Sequence, residues 1–236
     1  MENSARFYGP LEPCGYLPEQ IWRLEYEFVN RLTPQEYQDR LESGWRRFGR
    51  SLFRNRCPQC HACQSLRVLV EEFRPNRSQR RAARANRDAT RRVITTPSIS
   101  RAKLELYRRF HAFQSREKGW PQLEDSGYFA YITSFVENPL PTEEWQYYRD
   151  EQLVGVGYVD VVSHGLSAIY FFYDPDYRRY SLGTWNILSL IEEAKQRGMA
   201  YVYLGYYVRG CRSLEYKANF RPCEILRPGG YWERLD

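Results

Sequence analysis

Two spacings of apolar residues divide the chain. Leu66 to Phe73 alternates and is rich in valine and leucine, the period of a strand, and Pro75 closes it. Trp45 to Phe53 reads as extended. Helical signals appear elsewhere in this half. Thr33-Pro34-Gln35-Glu36 starts a helix, with threonine as the cap, proline in the first turn and glutamate reaching back. That helix runs to Ser43, and Gly44 ends it. Ser78 is placed as the cap of a second helix through Arg87, followed by a short strand from Arg91 to Thr96. Ser100 opens a long helix to Lys118 carrying Leu104, Leu106, Tyr107, Phe110 and Phe113, and Asp125 to Phe135 reads as a further helix. Pro139 and Pro141 break the pattern.

After the break, strands dominate. Glu144 to Arg149 and Gln152 to Val162 form a hairpin around Asp150-Glu151, and His164-Gly165 turns the chain into a strand from Leu166 to Tyr173. A loop from Asp174 to Tyr180 leads to a helix from Leu182 to Arg197, with Gly198 at its end. A strand from Tyr201 to Leu204, a short helix from Ser213 to Asn219, and strands at Cys223 to Leu226 and Tyr231 to Arg234 finish the chain. The fold class is α+β. A mixed α/β region spans 1–75 and a second region spans 76–236, with 76–140 as a bridge between them.

The second half, in the order β-β-β-α-β-α-β, resembles the GCN5-related N-acetyltransferase (GNAT) superfamily. In that superfamily an Arg/Gln-x-x-Gly-x-Gly/Ala turn after the central strand holds a phosphate of coenzyme A. A helix start offers unpaired N–H groups and partial positive charge there. Arg178-Arg179-Tyr180-Ser181-Leu182-Gly183 matches at Arg178 and Gly183, with Ser181 replacing the first glycine. The serine adds a Cβ where the backbone must approach a ligand closely. This fits a relative that has exchanged acyl-CoA for another phosphate-bearing acyl donor.

Charge sharpens the picture. The chain is +6, yet residues 74–103 hold ten basic residues and one acid, so that segment is +9 and the remainder sums to −3. At about 100° per residue, Arg77, Arg80, Arg81, Arg84, Arg87 and Arg91 share one helix face. Such a stripe repels itself unless an anion meets it, and arginine forks grip carboxylates and phosphates. The 20 tyrosines suit either a wet cleft or sheet packing.

Cys57, Cys60 and Cys63 have Cys-x₂-Cys-x₂-Cys spacing, with His61 inside it, and Cys14 is available as a fourth ligand. Two readings stand: zinc or an iron–sulfur group, or reduced packing cysteines. Cys211 and Cys223 read as packing residues. Met1 to Pro10 has no signal-peptide pattern, and no apolar run approaches the roughly 20 residues of a membrane helix. A soluble, cytoplasmic protein is expected, with no membrane partner. Three histidines are few for a Ser–His–Asp triad.

Several segments together resemble the arginyl-tRNA–protein transferase family, in particular its short bacterial branch of aspartate/glutamate leucyltransferases. They are Cys14-Gly15-Tyr16-Leu17-Pro18, Gly44-Trp45-Arg46-Arg47-Phe48-Gly49, the Cys57 to Cys63 run, and Phe73 to Arg81 with its Asn-Arg-Ser-Gln-Arg-Arg core. Tyr170 to Pro175, Leu204 to Val208, Gly210-Cys211 and Tyr216 to Pro222 continue the match in order. The resemblance implies transfer of an amino acid from charged tRNA to an N-terminal Asp or Glu, marking the protein for N-degron degradation. The short branch implies leucyl-tRNA as donor; longer members use arginyl-tRNA and carry paired N-terminal cysteines linked to an iron–sulfur cluster. Leu17 stands where the second of those cysteines would be, and no cofactor is required for the transfer.

Aminolysis of an ester needs an acceptor grip, a route for the proton and a hold on the oxyanion. The expected clamp for the acidic acceptor is Arg77, Arg80 and Arg81, with Tyr173 and Asp174 as cleft residues. Arg84, Arg87, Arg91 and Arg92, with Arg178 and Gly183 at the turn, are expected to meet tRNA phosphates. Tyr206, Tyr207 and Lys217 are candidates for positioning the ester or the 3′-terminal adenosine, and Glu215 for taking a proton. An acyl-CoA-dependent acetyltransferase and a non-enzymatic RNA-binding protein are the rivals.

Overall fold

The structure, a computed structural model, describes residues 5–121, 123 and 127–235. It opens with strands that the apolar pattern did not predict: β1 (Arg6–Tyr8), β2 (Glu12–Pro13), β3 (Ile21–Trp22) and β4 (Leu24–Phe28). They are short and the first three have no buried residue, so they carry little periodicity. Helix α1 (Pro34–Glu42) begins as expected: the Thr33 hydroxyl accepts from Glu36 N–H at 3.2 Å and the Glu36 carboxylate accepts from Thr33 N–H at 2.8 Å. The extended segment after it is two strands, β5 (Arg46–Phe48) and β6 (Ser51–Asn55), folded back on each other. Gly49 makes that reversal at φ 58°, where a Cβ would lie 2.3 Å from the Thr133 carbonyl oxygen.

Strand β7 (Gln64–Leu69) precedes helix α2 (Arg77–Asn86). The cap of α2 is Asn76, not Ser78. The Asn76 side chain accepts from Gln79 N–H at 3.0 Å and the Gln79 side chain accepts from Asn76 N–H at 2.8 Å. Ser78 lies two residues further on, inside the first turn, and donates its hydroxyl to the Asn76 oxygen. Asn76→Ala is expected to cost about 1 kcal/mol, read as a lower denaturation midpoint with an unchanged slope; Ser78→Ala should cost less. Equal losses would reject Asn76 as the cap.

Next come β8 (Arg91–Thr95), the Ser100-capped α3 (Arg101–Lys118) and α4 (Gly127–Tyr131), which continues as a π-turn over Ile132–Val136. The expected start of that helix at Asp125 lies outside the described residues. Strands β9 (Thr142–Arg149), β10 (Gln152–Val162) and β11 (Gly165–Tyr173) form the predicted meander. A 3-10 turn over Pro175–Tyr180 replaces the expected loop and leads into α5 (Leu182–Gln196). Strand β12 (Tyr201–Tyr207) is longer than predicted, because its aromatic residues stay buried to the end. Helix α6 (Arg212–Glu215), a 3-10 turn over Tyr216–Asn219, β13 (Cys223–Leu226) and β14 (Trp232–Arg234) complete the chain.

The large sheet has the order β14-β13-β7-β12-β11-β10-β9-β8, and a smaller one β1-β4-β6-β5. The large sheet therefore takes β7 from before residue 75. One face buries Leu66, Val68, Leu166, Val202 and Leu204 against Trp185, Leu190 and Ile191 of α5. On the other face, Tyr37 and Leu41 of α1 meet Trp45, Leu52 and Tyr203, while Tyr107 and Phe110 of α3 meet Val156, Tyr158 and Phe172. An ion pair ties the N-terminal segment to the sheet. Arg47 donates to both carboxylate oxygens of Asp160, at 2.8 and 2.5 Å, with both side chains fully buried.

Candidate active site

Strands β11 and β12 run parallel and pair only from Gly165–Tyr201 to Ser167–Tyr203. Beyond that, β11 continues to Tyr173 bonded to β10, and β12 to Tyr207 bonded to β7. The two strands part in the middle of the sheet. Backbone groups that would have closed a ladder then face the gap, where they are available to a ligand.

Arg46, from β5, sits at the apex of the gap. It donates to the Ser167 hydroxyl at 3.2 Å and to the Ala168 carbonyl oxygen at 2.6 Å, so it takes up the first ladder position that β12 leaves. Its guanidinium lies flat on Gly205, whose φ of 80° and missing Cβ permit the approach; a Cβ there would be 3.1 Å from Arg46 Nη2. Lys217 is the second cation here. Its Nζ donates to the Tyr206 carbonyl oxygen at 2.8 Å. Burial, reinforced by the Arg46 charge, pushes the Lys217 pKa down to about 7. An amine poised near neutrality is suited to take a proton. Lys217 stood among the sequence candidates through the Tyr-Lys-Ala-Asn segment, whereas Arg46 stood in an extended run and in the Gly44 to Gly49 segment without a role.

Tyr206 is buried, and its hydroxyl donates to the Gly44 carbonyl oxygen at 3.1 Å, which braces the small sheet against β12. Tyr207 points to the opposite core. Glu215 is exposed on α6. Tyr173 is half-buried and packs on Phe110, with ring centres 5.2 Å apart. Asp174 is fully engaged: it accepts two bonds from Arg109 at 3.0 and 2.9 Å and caps the 3-10 turn. It fastens α3 to the turn. His111 accompanies Tyr170, with its Nε2 at 2.9 Å from the tyrosine hydroxyl, and burial lowers its pKa.

The Arg178–Gly183 turn joins the 3-10 turn to α5. Ser181 is left-handed at φ 55°, ψ 45°, the conformation a glycine adopts freely. Its side chain makes no capping bond, so the first N–H groups of α5 remain available, and nothing lies within 4 Å of a Cβ built on Gly183. Arg178 is exposed beside it.

Helix α2 spans the distance between this turn and the lysine. Gln79 at one end donates to the Asn219 carbonyl oxygen at 2.9 Å, and Asn86 at the other to that of Tyr180 at 2.7 Å. Arg80, Arg81 and Arg84 between them, with Arg77 just before and Arg87 just beyond, are exposed. Arg80 donates to the Pro75 carbonyl oxygen at 2.6 Å; Arg77, Arg81, Arg84 and Arg87 form no side-chain bond with any described residue. Arg91 pairs with Glu151 at the surface. Arg92 is turned inward, pairing with Glu193 at 2.6 Å and lying over Trp145.

Cys57, Cys60 and Cys63 line a cavity of about 380 Å³ with Asn55, Ser65 and Tyr206. Cys14 and Cys211 share the neighbourhood: burial first, then these cysteines, push the Cys63 pKa up to about 12. Among the described residues, no group of three or more His, Cys, Asp or Glu side chains is arranged to hold a metal ion. The ligand set expected of Cys14, Cys57, Cys60 and Cys63 is therefore not assembled, and no chemistry is routed through it. The thiols are free.

A split sheet with a phosphate-type turn beside it defines an acyltransferase architecture. FemX shares the fold, with a TM-score of 0.54 at 7% identity over 94% of this chain and 85% of that one. The C-terminal domain (DUF2156) of a putative lysylphosphatidylglycerol synthetase from Agrobacterium fabrum does so at 0.50 and 15% identity, over 73% and 58%. The sequence places the chain more closely. The family profile "Arginine-tRNA-protein transferase, C terminus" matches residues 102–227, and its N-terminal counterpart matches residues 12–81. The chain belongs to the arginine-tRNA-protein transferase family. It is 37% identical over 219 residues to the aspartate/glutamate leucyltransferase of Campylobacter jejuni subsp. jejuni serotype O:23/36, covering 92% of this chain and 90% of that one. It is 42% identical over 204 residues to the protein of the same name from Alkalilimnicola ehrlichii, covering 85% and 82%.

Proposed function

We propose that the protein transfers leucine from leucyl-tRNA to the α-amine of proteins that begin with Asp or Glu, marking them for N-degron degradation. The observation that carries this reading is the pairing of Lys217 with the gap between β11 and β12, in a chain whose relatives bear the leucyltransferase name. The donor ester enters the gap, with the terminal phosphates at the Ser181–Gly183 turn and Arg178. The amine nitrogen bonds to the ester carbon and Lys217 takes the proton it sheds; the bond from the ester carbon to the ribose oxygen then breaks, and Lys217 returns that proton to the oxygen, which leaves as the hydroxyl. The transfer is direct and needs no cofactor. The Arg46 guanidinium at the apex disfavours an arginyl side chain and leaves a leucyl side chain unopposed. Tyr173 flanks the ester and Glu215 stands at the rim, while Tyr207 packs in the core behind β12. Among the described residues no helix is long and apolar enough to cross a membrane; the cytoplasm, where charged tRNA is found, is the proposed place of work.

The arginine row of α2 faces the two anionic substrates. Arg77, Arg80 and Arg81 draw in the acidic acceptor, while Arg84 and Arg87 meet tRNA phosphates. Neutralising Arg84 and Arg87 together is expected to reduce the slope of log K against log salt for leucyl-tRNA by about 1.5. An unaltered slope would leave those residues as a solvated face.

The deciding assay presents a Glu-led peptide with leucyl-tRNA, arginyl-tRNA or acetyl-CoA. Product from leucyl-tRNA is expected. Product from acetyl-CoA alone would place the chain with the acetyltransferases, and RNA binding without any product would make it a binding protein.

A further inference from the structure

Arg46 is 7% exposed, yet among the described residues no carboxylate pairs with it. Asp160, which shares the surroundings of Tyr37, is already held by Arg47 and by the Thr142 hydroxyl at 2.6 Å. A guanidinium has five N–H bonds, and Arg46 spends two, on Ser167 and Ala168. A desolvated cation without a counter-ion is costly, and proteins seldom keep one for packing alone. The adjacent Arg47 shows the contrast: it is equally buried but fully paired.

The transfer reaction involves one small anion besides the phosphates, the side-chain carboxylate of the acceptor's first residue. The exposed arginines of α2 can attract it, but an exposed pair contributes only about 0–1 kcal/mol, too little to reject Gln against Glu. Telling those two apart takes a buried partner, because the uncharged isostere then leaves the cation unpaired.

We propose that Arg46 reads the acceptor, its free guanidinium edge binding the Asp or Glu carboxylate where β11 and β12 part, within reach of Lys217. This deepens the transferase reading and rests on it. Gly205 is then a specificity element, since it lets the guanidinium lie in the gap, and Ser167 and Ala168 orient the fork.

The test compares Glu-led and Gln-led peptides of otherwise identical sequence, with leucyl-tRNA as donor. In Arg46→Met the Glu-over-Gln preference in kcat/KM is expected to fall about 30-fold or more; losing the Arg46 charge beside Lys217 slows transfer to both peptides alike, so the ratio reports the acceptor reading. Arg46→Lys, which keeps charge but not the fork, should fall in between, and carries the comparison if the methionine variant does not fold. In parallel, the Glu-led peptide should raise the melting temperature of the wild type and not of the variant, while the Gln-led peptide and inorganic phosphate raise neither. An unchanged preference, or an equal loss with both peptides, overturns the proposal and leaves Arg46 as a wedge between strands. Stabilisation by phosphate equal to that by the Glu peptide overturns it in favour of a phosphate subsite. A wild type that transfers to neither peptide fails the transferase reading itself, while the melting comparison still decides whether Arg46 holds a carboxylate.

Discussion

Replacing Lys217 with methionine is expected to lower kcat by about 10²–10⁴-fold, the usual range for loss of a general base. Burial and the Arg46 charge bring the Lys217 pKa down to about 7, so the free amine is available at neutral pH. Below about 7 the group is charged and cannot accept a proton. At saturating peptide, log kcat should therefore rise in two limbs, one at about 7 from Lys217 and one near 8 from the acceptor's α-amine, and level off above both. Lys217→Arg keeps a cation that never releases its proton, so the limb at about 7 should vanish, leaving a rise set by the acceptor's α-amine near 8. A profile identical in Lys217→Arg and wild type would remove Lys217 from the chemistry.

The same residue has a stability signature with a fixed sign. The folded pKa lies below the unfolded value of 10.5, so from about pH 7 to 10.5 the unfolded chain holds a proton that the folded one lacks. Stability rises with pH across that window, and the full penalty is present below it. Lys217→Met should thus stabilise the protein at pH 7, on the order of 1–3 kcal/mol after its lost bond to Tyr206 is counted, and flatten the rise. A variant that is inactive yet melts higher separates a chemical role from a structural one.

The second large effect concerns the frame. Asp160→Ala is expected to cost about 3–5 kcal/mol, because it leaves Arg47 charged and enclosed with no carboxylate. The Thr142 hydroxyl loses its acceptor as well. Equilibrium urea unfolding checks this. A loss under 1 kcal/mol would mean that water reaches the guanidinium. Arg47→Met with Asp160→Leu should recover much of the loss, since a buried pair contributes little net stability against apolar residues.

The capping box at Thr33, the meander from β9 to β11 and helix α5 were all legible along the chain. Each depends on residues within a few positions of one another. The fold class and the family were legible for a related reason, since motifs keep their order in sequence. The N-terminal strands escaped because two or three exposed residues show no period. The β5–β6 reversal escaped because its cause is the Thr133 carbonyl against Gly49, a contact made far along the chain.

Residue type and spacing determined where cationic groups are dense, and they singled out α2 and Lys217. Only the tertiary structure decided which cations are free. Arg92, Arg47 and Lys103 look no different in sequence from Arg46, yet each finds a carboxylate. The reason is physical: the worth of a charge depends on its burial and its partners, and at the gap those come from residues 46, 167, 205 and 217, which meet only when β11 and β12 separate.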